Sequence, residues 1–268
     1  MHPILFEIFG RPVHTYGLTA ATGFLLGFFY ARWQARQTNQ DEEQAADLCF
    51  YAIIFGVLGS RILYVAINWP YFSEHLLDIV RIDKGGLVFY GGPVFTAIPL
   101  WYVIWKRKLS VMAYSDIIMP ATILGLGMGR LGCLAAGCCY GRPATVPWAI
   151  TYPVGSSPDE AYGGLPVHPT PLYEFAACLF IVGVAVWWNQ RKKVHGETFF
   201  LTIILYAVLR STIEFFRGDS VRGFAIEGVL STSQLISLLV GVAAVVAWLR
   251  IRAHPLPTMS LDYQPPGR

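Results

Sequence analysis

Gly125-Leu-Gly-Met-Gly-Arg-Leu-Gly-Cys-Leu-Ala-Ala-Gly-Cys-Cys-Tyr-Gly-Arg142 is the stretch whose reading decides the rest of this chain. It begins inside an apolar run, Ser115 to Leu126, that reads as a membrane helix. It then carries Arg130, six glycines and three cysteines to one membrane face. A helix that merely spans needs none of these. Gly125 and Gly129 form a small-xxx-small pair, which lets another helix backbone approach closely. An arginine in or near hydrocarbon is costly unless an anion neutralises it. The anion that a membrane offers is a lipid phosphate, which a guanidinium fork binds in bidentate fashion. The stretch is therefore expected to be a phospholipid head-group site.

Composition agrees with a membrane setting. The chain is 54% hydrophobic and 14% charged, whereas a soluble domain carries about 25% charged residues. The expected class is an all-α polytopic membrane protein, with residues 1–252 as a single bundle and 253–268 as a disordered cytoplasmic tail. The net charge is +3 and no basic block exceeds three residues. No aromatic-interleaved basic surface is present, so no nucleic-acid partner is expected. The N-terminal Met1-His-Pro-Ile-Leu-Phe-Glu lacks the basic start and small-residue cleavage site of a signal peptide, so the first span is expected to direct its own insertion.

Seven apolar runs are long enough to cross, near residues 14–32, 46–67, 88–105, 113–134, 170–189, 197–216 and 229–249. Arg32 to Arg36, Lys106-Arg-Lys108, Arg191-Lys-Lys193 and Arg250 to Arg252 fall on one side. By the positive-inside rule that side is cytoplasmic, with the N-terminus outside and the C-terminus in the cytoplasm. The largest outside loop, 135–169, is rich in Gly and Pro and has room for a small extramembrane head.

Arg61, Arg130 and Arg210 lie within or at the ends of spans. Arg210, Glu214 and Arg217 share one helix face by their spacing. Either Glu214 forms an internal ion pair that orients Arg210, or the three arginines leave positive charge over for a phosphate. Gly91-Gly92, after Phe89-Tyr90, marks the entry to the third span and permits close backbone approach to a ligand. Tyr90 would place a phenol there, or serve as an interfacial tyrosine. His168, in His168-Pro-Thr-Pro-Leu-Tyr-Glu174, reads as a base or as a turn residue. Cys49 and Cys178 read as small packing residues in helical runs. Cys-x4-Cys-Cys is not a typical zinc spacing and no second pair accompanies it, so neither metal nor cofactor is expected.

In order along the chain, Tyr16-Gly17, Gly59-Ser-Arg61, Gly91-Gly92, Ser115-Asp-Ile-Ile-Met-Pro with Gly125 to Gly132, Gly141-Arg142, His168 to Glu174, Arg210 with Glu214-Phe-Phe-Arg217, and Gln234 resemble the bacterial prolipoprotein diacylglyceryl transferases over roughly residues 10 to 250. The resemblance implies a bacterial inner-membrane enzyme working towards the periplasmic leaflet without a metal. Its partners would be phosphatidylglycerol and prolipoprotein signal peptides with a lipobox cysteine. The diacylglyceryl group would move to that cysteine as a thioether, with release of glycerol phosphate. Arg130, Arg210, Tyr90 and Glu214 take the catalytic places. Arg61, Tyr16, Gly91, Gly92, Gly129, Gly132, His168, Glu174 and Arg217 take the substrate-binding ones.

Three positions depart from the family pattern. Tyr90 stands where a histidine is usual, Cys133 where an asparagine is usual, and Cys138 where an acidic residue is usual. A phenol with a pKa near 10 is a poor base unless an arginine lowers it. The paired replacement by cysteines is expected to form a Cys133–Cys138 disulfide, the alternative being three reduced packing thiols. The competing functional reading is a divergent relative that uses the same lipid site for another acceptor, or binds lipid without transferring it.

Overall fold

A computed structural model describes residues 4–8, 11–81, 85–88, 91–219, 223–226 and 230–261. The described elements are β1 (Ile4–Ile8), β2 (Arg11–His14), α1 (Thr15–Gln37), α2 (Glu42–Ile67), α3 (Trp69–Glu74), α4 (Gly91–Lys106), α5 (Val111–Ala136), α6 (Ser157–Tyr162), α7 (Thr170–Asn189), α8 (Glu197–Glu214), β3 (Phe224–Ile226), β4 (Leu230–Ser231) and α9 (Thr232–Ala253). The seven helices of sixteen or more residues fall on the seven apolar runs. Four of them, α2, α5, α7 and α9, are long and apolar enough to cross a membrane. At about 1.5 Å per residue, the 16 residues of α4 fall short of a hydrocarbon core of about 30 Å. Within its 18 residues α8 carries Glu197, Arg210 and Glu214.

The chain is not helical throughout. β1 pairs antiparallel with β2, and β3 with β4. These short strands precede α1 and α9, so each helix is entered from extended backbone. The starts of α2, α5 and α9 are capped by side chains. Asp41 caps α2 by accepting from Glu43 N at 2.9 Å and Gln44 N at 3.2 Å. Ser110 caps α5, accepting from Ala113 N at 3.3 Å. Gln234 completes a capping box at α9: it accepts from Ser231 N at 3.1 Å, and its own N–H donates to Ser231 Oγ at 3.2 Å.

Helix α5 is central, packing against α1, α7, α8 and α2. In lipid there is little hydrophobic gain from helix association, so close backbone contact must hold the seam. A Cβ on Gly23 would lie 2.8 Å from Gly125 O, and one on Gly27 would lie 3.0 Å from Ala121 O. The pair that closes α1 onto α5 is therefore Gly23-xxx-Gly27 against Ala121-xxx-Gly125. Among the described residues no heavy atom lies within 4 Å of such a Cβ on Gly129, so the expected Gly125–Gly129 ridge contributes only its first member.

At the end of the bundle away from Arg130, a polar hub is buried. Asp116 on α5 accepts from Lys192 Nζ at 2.6 Å, Gly196 N at 2.8 Å and Phe199 N at 2.8 Å. Its carboxylate thus meets both a buried ammonium and the open N–H groups at the start of α8, where the helix dipole favours an anion. His195 lies beside it, with Nδ1 3.9 Å from Asp116 Oδ2. The backbone of His195 donates to Met259 O at 2.8 Å, and Ser110 Oγ donates to Thr258 O at 2.8 Å. Met259 is itself buried. The expected disordered tail is thus corrected for residues up to Leu261: it docks on this hub because His195 and Ser110 need acceptors. Residues 262–268 lie outside the described residues.

Replacing Asp116 by Ala leaves Lys192 buried without its counter-ion, which is expected to cost about 3–5 kcal/mol in the unfolding of detergent-solubilised protein. The His195 imidazole is held at a pKa of about 4 by burial and then by the Lys192 charge. The unfolded chain protonates near pH 6.5 and so binds more protons between those values. His195 therefore lowers stability as pH falls from about 7 towards 4. In His195→Gln the drop in melting temperature between about pH 7 and pH 5 is expected to shrink.

Candidate functional site

The α5 C-terminus ends in a glycine cap. Gly137 has φ 71, a left-handed backbone that a residue without Cβ adopts freely. Cys138 N donates to Cys133 O at 3.1 Å and Gly137 N to Leu134 O at 3.3 Å, the two bonds of a Schellman motif. Cys139 follows with φ 60, and Thr170 Oγ1 at the start of α7 donates to its carbonyl at 2.6 Å. The cap and the α7 anchor turn the chain back over the end of α5.

Arg130 lies about two turns before this cap. Its Nη2 reaches Glu174 Oε1 on α7 at 2.9 Å, its Nη1 lies 3.7 Å from Cys139 Sγ, and its Nε is buried without a hydrogen-bond partner among the described residues. Tyr206 on α8 donates to the same Glu174 oxygen at 3.1 Å. Tyr206 and Arg210 stand one turn apart on α8, and Arg210 Nη1 donates to Glu214 at 2.5 Å. Glu174 and Tyr206 thus link the two arginines across three helices. The expectation of unneutralised positive charge is corrected here. Arg130 pairs with Glu174, Arg210 with Glu214, and Arg217 with Asp219 through Nε at 3.1 Å and Nη2 at 2.8 Å. For Arg130 the cause is tertiary: Glu174 lies 44 residues away in the sequence.

Beyond α5 the chain forms a small unit around Tyr140, Tyr152 and Val167. Residues 140–142 lie between two other segments. Gly141 N donates to His168 O at 3.0 Å, Arg142 N to Phe216 O at 2.8 Å and Gly218 N to Tyr140 O at 3.1 Å. Gly141 must be glycine, because a Cβ there would lie 2.5 Å from both His168 Cβ and His168 O. Arg142 Nε also donates to Arg217 O at 3.1 Å. This unit brings Arg217, Arg142 and His168 to the Arg130 end of the bundle. His168 Nδ1 lies 3.0 Å from Tyr173 Oη, which accepts from Trp148 Nε1 at 2.7 Å. Its ring stands edge-on to Phe216, with centroids 5.1 Å apart.

Arg61 takes a different task from phosphate binding. Its five N–H donors go to the carbonyls of Ile79, Gly85, Gly86, Asp78 and Arg81 at 2.5–3.2 Å. A guanidinium has five such donors, so Arg61 is committed as a clamp on the segment after α3. Gly91 and Gly92 do allow close approach, but to α2. A Cβ on Gly91 would collide with the carbonyl of Gly59, and one on Gly92 would lie 3.2 Å from Ser60 Oγ. Tyr16 packs on Gly132, whose Cβ would lie 2.8 Å from Tyr16 Cδ2. Tyr90 lies outside the described residues.

The expected Cys133–Cys138 bridge is absent: Cys133, Cys138 and Cys139 are free thiols. The cap itself explains this. It aims Cys138 Sγ at the carbonyl of Cys133, 3.7 Å away, rather than at that residue's sulfur. All three sulfurs nonetheless lie within 4.8 Å of one another. The Cys139 thiol is held below its ordinary range by hydrogen bonds from Cys133 and Cys138 and by the Arg217 and Arg130 charges. Cys49 and Cys178 are buried packing residues; Cys178 Cβ is 2.9 Å from where a Cβ on Gly127 would sit.

Two members of this site escaped the sequence reading. Tyr206 gave no signal beyond an aromatic in an apolar run. Asp219 follows Arg217 by two residues and could have been noticed as its partner.

A family model described as prolipoprotein diacylglyceryl transferase matches residues 3–250 of the chain. The chain is similar to proteins named phosphatidylglycerol–prolipoprotein diacylglyceryl transferase. One, from Finegoldia magna, is 34% identical, with 94% of this chain and 96% of the relative covered. One from Clostridium tetani is 31% identical (89% and 93% covered), and one from Geobacter sulfurreducens is 32% identical (94% and 97% covered).

If the cap keeps the sulfurs apart, unreduced protein denatured in the presence of iodoacetamide and a chelator is expected to gain five carbamidomethyl groups, one for each cysteine. Two fewer in the intact mass would restore the bridge.

Proposed function

The chain belongs to the prolipoprotein diacylglyceryl transferase family, and we propose on that premise that it moves the diacylglyceryl group of phosphatidylglycerol to the lipobox cysteine thiol of a prolipoprotein. It is a transferase. A thiolate sulfur attacks the glyceryl carbon that carries the phosphate. The C–S bond forms, the C–O bond breaks, and glycerol phosphate leaves with the electron pair.

The observation that carries this reading is the chain Arg130–Glu174–Tyr206 with Arg210–Glu214 one turn further along α8. Carboxylates hold both guanidinium groups in fixed orientations, so little reorganisation is needed when charge develops on the leaving phosphate. Around them, four arginines (130, 142, 210 and 217) gather with three carboxylates among the described residues. The unpaired Arg130 Nε supplies a further donor. Tyr16, Gly129, Gly132 and His168 line this end of the bundle as donor-positioning residues. Tyr90 is assigned to thiol activation or donor positioning, and Glu214 to orienting Arg210.

All seven long helices are read as spans, the short α4 with local thinning of the bilayer, with the basic ends cytoplasmic and the 135–169 head outside. That orientation puts the arginines at the outer leaflet of a bacterial inner membrane, where a lipid donor and an emerging signal peptide meet.

Transfer of labelled diacylglyceryl from phosphatidylglycerol to a lipobox peptide in detergent micelles tests this. Arg130→Ala and Arg210→Ala are each expected to lose about 10²-fold or more in rate, with the elution volume and helix content of the parent. Parental rates in Arg130→Ala would overturn the phosphate role. Tyr90→Phe separates the phenol from its ring: parental activity would move the task of thiol activation elsewhere.

A further inference from the structure

We propose that Cys133, Cys138 and Cys139 form a three-thiolate site for one zinc ion, with the fourth coordination position open to an incoming thiol. The sequence spacing gave no hint of it, because a ligand set of Cys-x4-Cys-Cys depends on how the helix ends. The Schellman cap folds Cys138 and Cys139 back over the last turn of α5, and the three sulfurs come within 4.8 Å of one another. Around a zinc ion with Zn–S bonds of about 2.3 Å, tetrahedral sulfurs stand about 3.8 Å apart. Side-chain adjustments of an ångström or less close the set.

Two further observations show that the arrangement is held in place. Cys139 occupies the left-handed region at φ 60, which costs a residue with a Cβ free energy and persists where the surroundings enforce it. Thr170 Oγ1 enforces it from α7, through a 2.6 Å bond to the Cys139 carbonyl. The neighbouring charges suit a metal–thiolate group and not a bare cation. Three thiolates on zinc carry a net charge of −1, and Arg130 lies 3.7 Å from the Cys139 sulfur.

Among the described residues, no fourth His, Cys, Asp or Glu joins the cluster. Three protein ligands and an open position are the pattern of catalytic zinc, whereas structural zinc is closed by four. A thiol that enters the open position binds as a thiolate and gives its proton to solvent. If the transferase reading above holds, on which this extension rests, the acceptor cysteine would be activated there beside Arg130.

Cobalt(II) added to metal-free, full-length protein in detergent tests the site. A sulfur-to-cobalt charge-transfer band and the visible bands of tetrahedral cobalt are expected, saturating at one ion per chain and bleached by zinc. The triple variant Cys133→Ser, Cys138→Ser, Cys139→Ser is expected to lose the band. Cys138→Ser alone, which changes only the exposed thiol, is expected to diminish it, and Cys49→Ser with Cys178→Ser to keep it whole. No thiolate band in the parent, or an unchanged band in the triple variant, overturns the site. N-acetylcysteine is expected to shift the visible bands; unshifted bands overturn the open position. A full cobalt signal in protein that transfers no lipid supports the metal site and sinks the transferase reading. Undiminished transfer by chelator-treated protein without a cobalt band overturns the metal site and leaves transfer standing.

Discussion

The burial of Arg130 is the constraint on which the rest of this structure depends. A guanidinium at the end of an apolar helix needs a counter-charge, and the chain supplies it from α7 through Glu174. That one ion pair fixes α7 against α5, and Tyr206 extends it to α8. The desolvation of such a pair offsets much of its Coulomb attraction, so its contribution to stability is modest. What it secures is position: two guanidinium groups stand oriented at the same end of the bundle before any substrate arrives.

The helices can meet there because their seams are made of glycine. Gly23 and Gly27 bring α1 against α5, Gly127 brings α5 against Cys178 of α7, and Gly91 brings α4 against Gly59 of α2. Large apolar side chains such as Phe24, Leu25, Phe29, Val94 and Ile98 point outward instead. In water that distribution would be unfavourable; in a bilayer it is the expected one, since lipid solvates those side chains and only backbone contact separates good packing from poor. The opposite end is closed differently, by the Asp116 hub with Lys192, the α8 N-terminus and the docked 254–261 segment. The molecule thus has a buried polar hub at one end and a cluster of arginine–carboxylate pairs at the other.

A cap that places three sulfurs and two guanidinium groups in one small volume changes the chemistry open to this chain. The Cys139 thiol is biased towards its anion by hydrogen bonds from Cys133 and Cys138 and by the Arg217 and Arg130 charges, which are positional effects. The proposed ion and the proposed phosphate site are therefore neighbours that share Arg130.

Much of this was legible in the sequence. Low charge and apolar runs of span length set the class, and those runs located seven helices to within a few residues. Arg130 and Arg210 stood out because charge in an apolar run demands an explanation, and the i to i+4 spacing of Arg210 and Glu214 already placed those two together. Only the tertiary structure decided the rest. Glu174 became the partner of Arg130, the N–H donors of Arg61 were spent on loop carbonyls, and Gly91 faced α2 in place of a ligand. The sulfurs of residues 133, 138 and 139 converged without bonding. Each of these is a meeting of groups far apart in the chain, or a direction set by a backbone cap. One-dimensional spacing records neither, because helix packing and left-handed backbone angles decide which side chains share a volume.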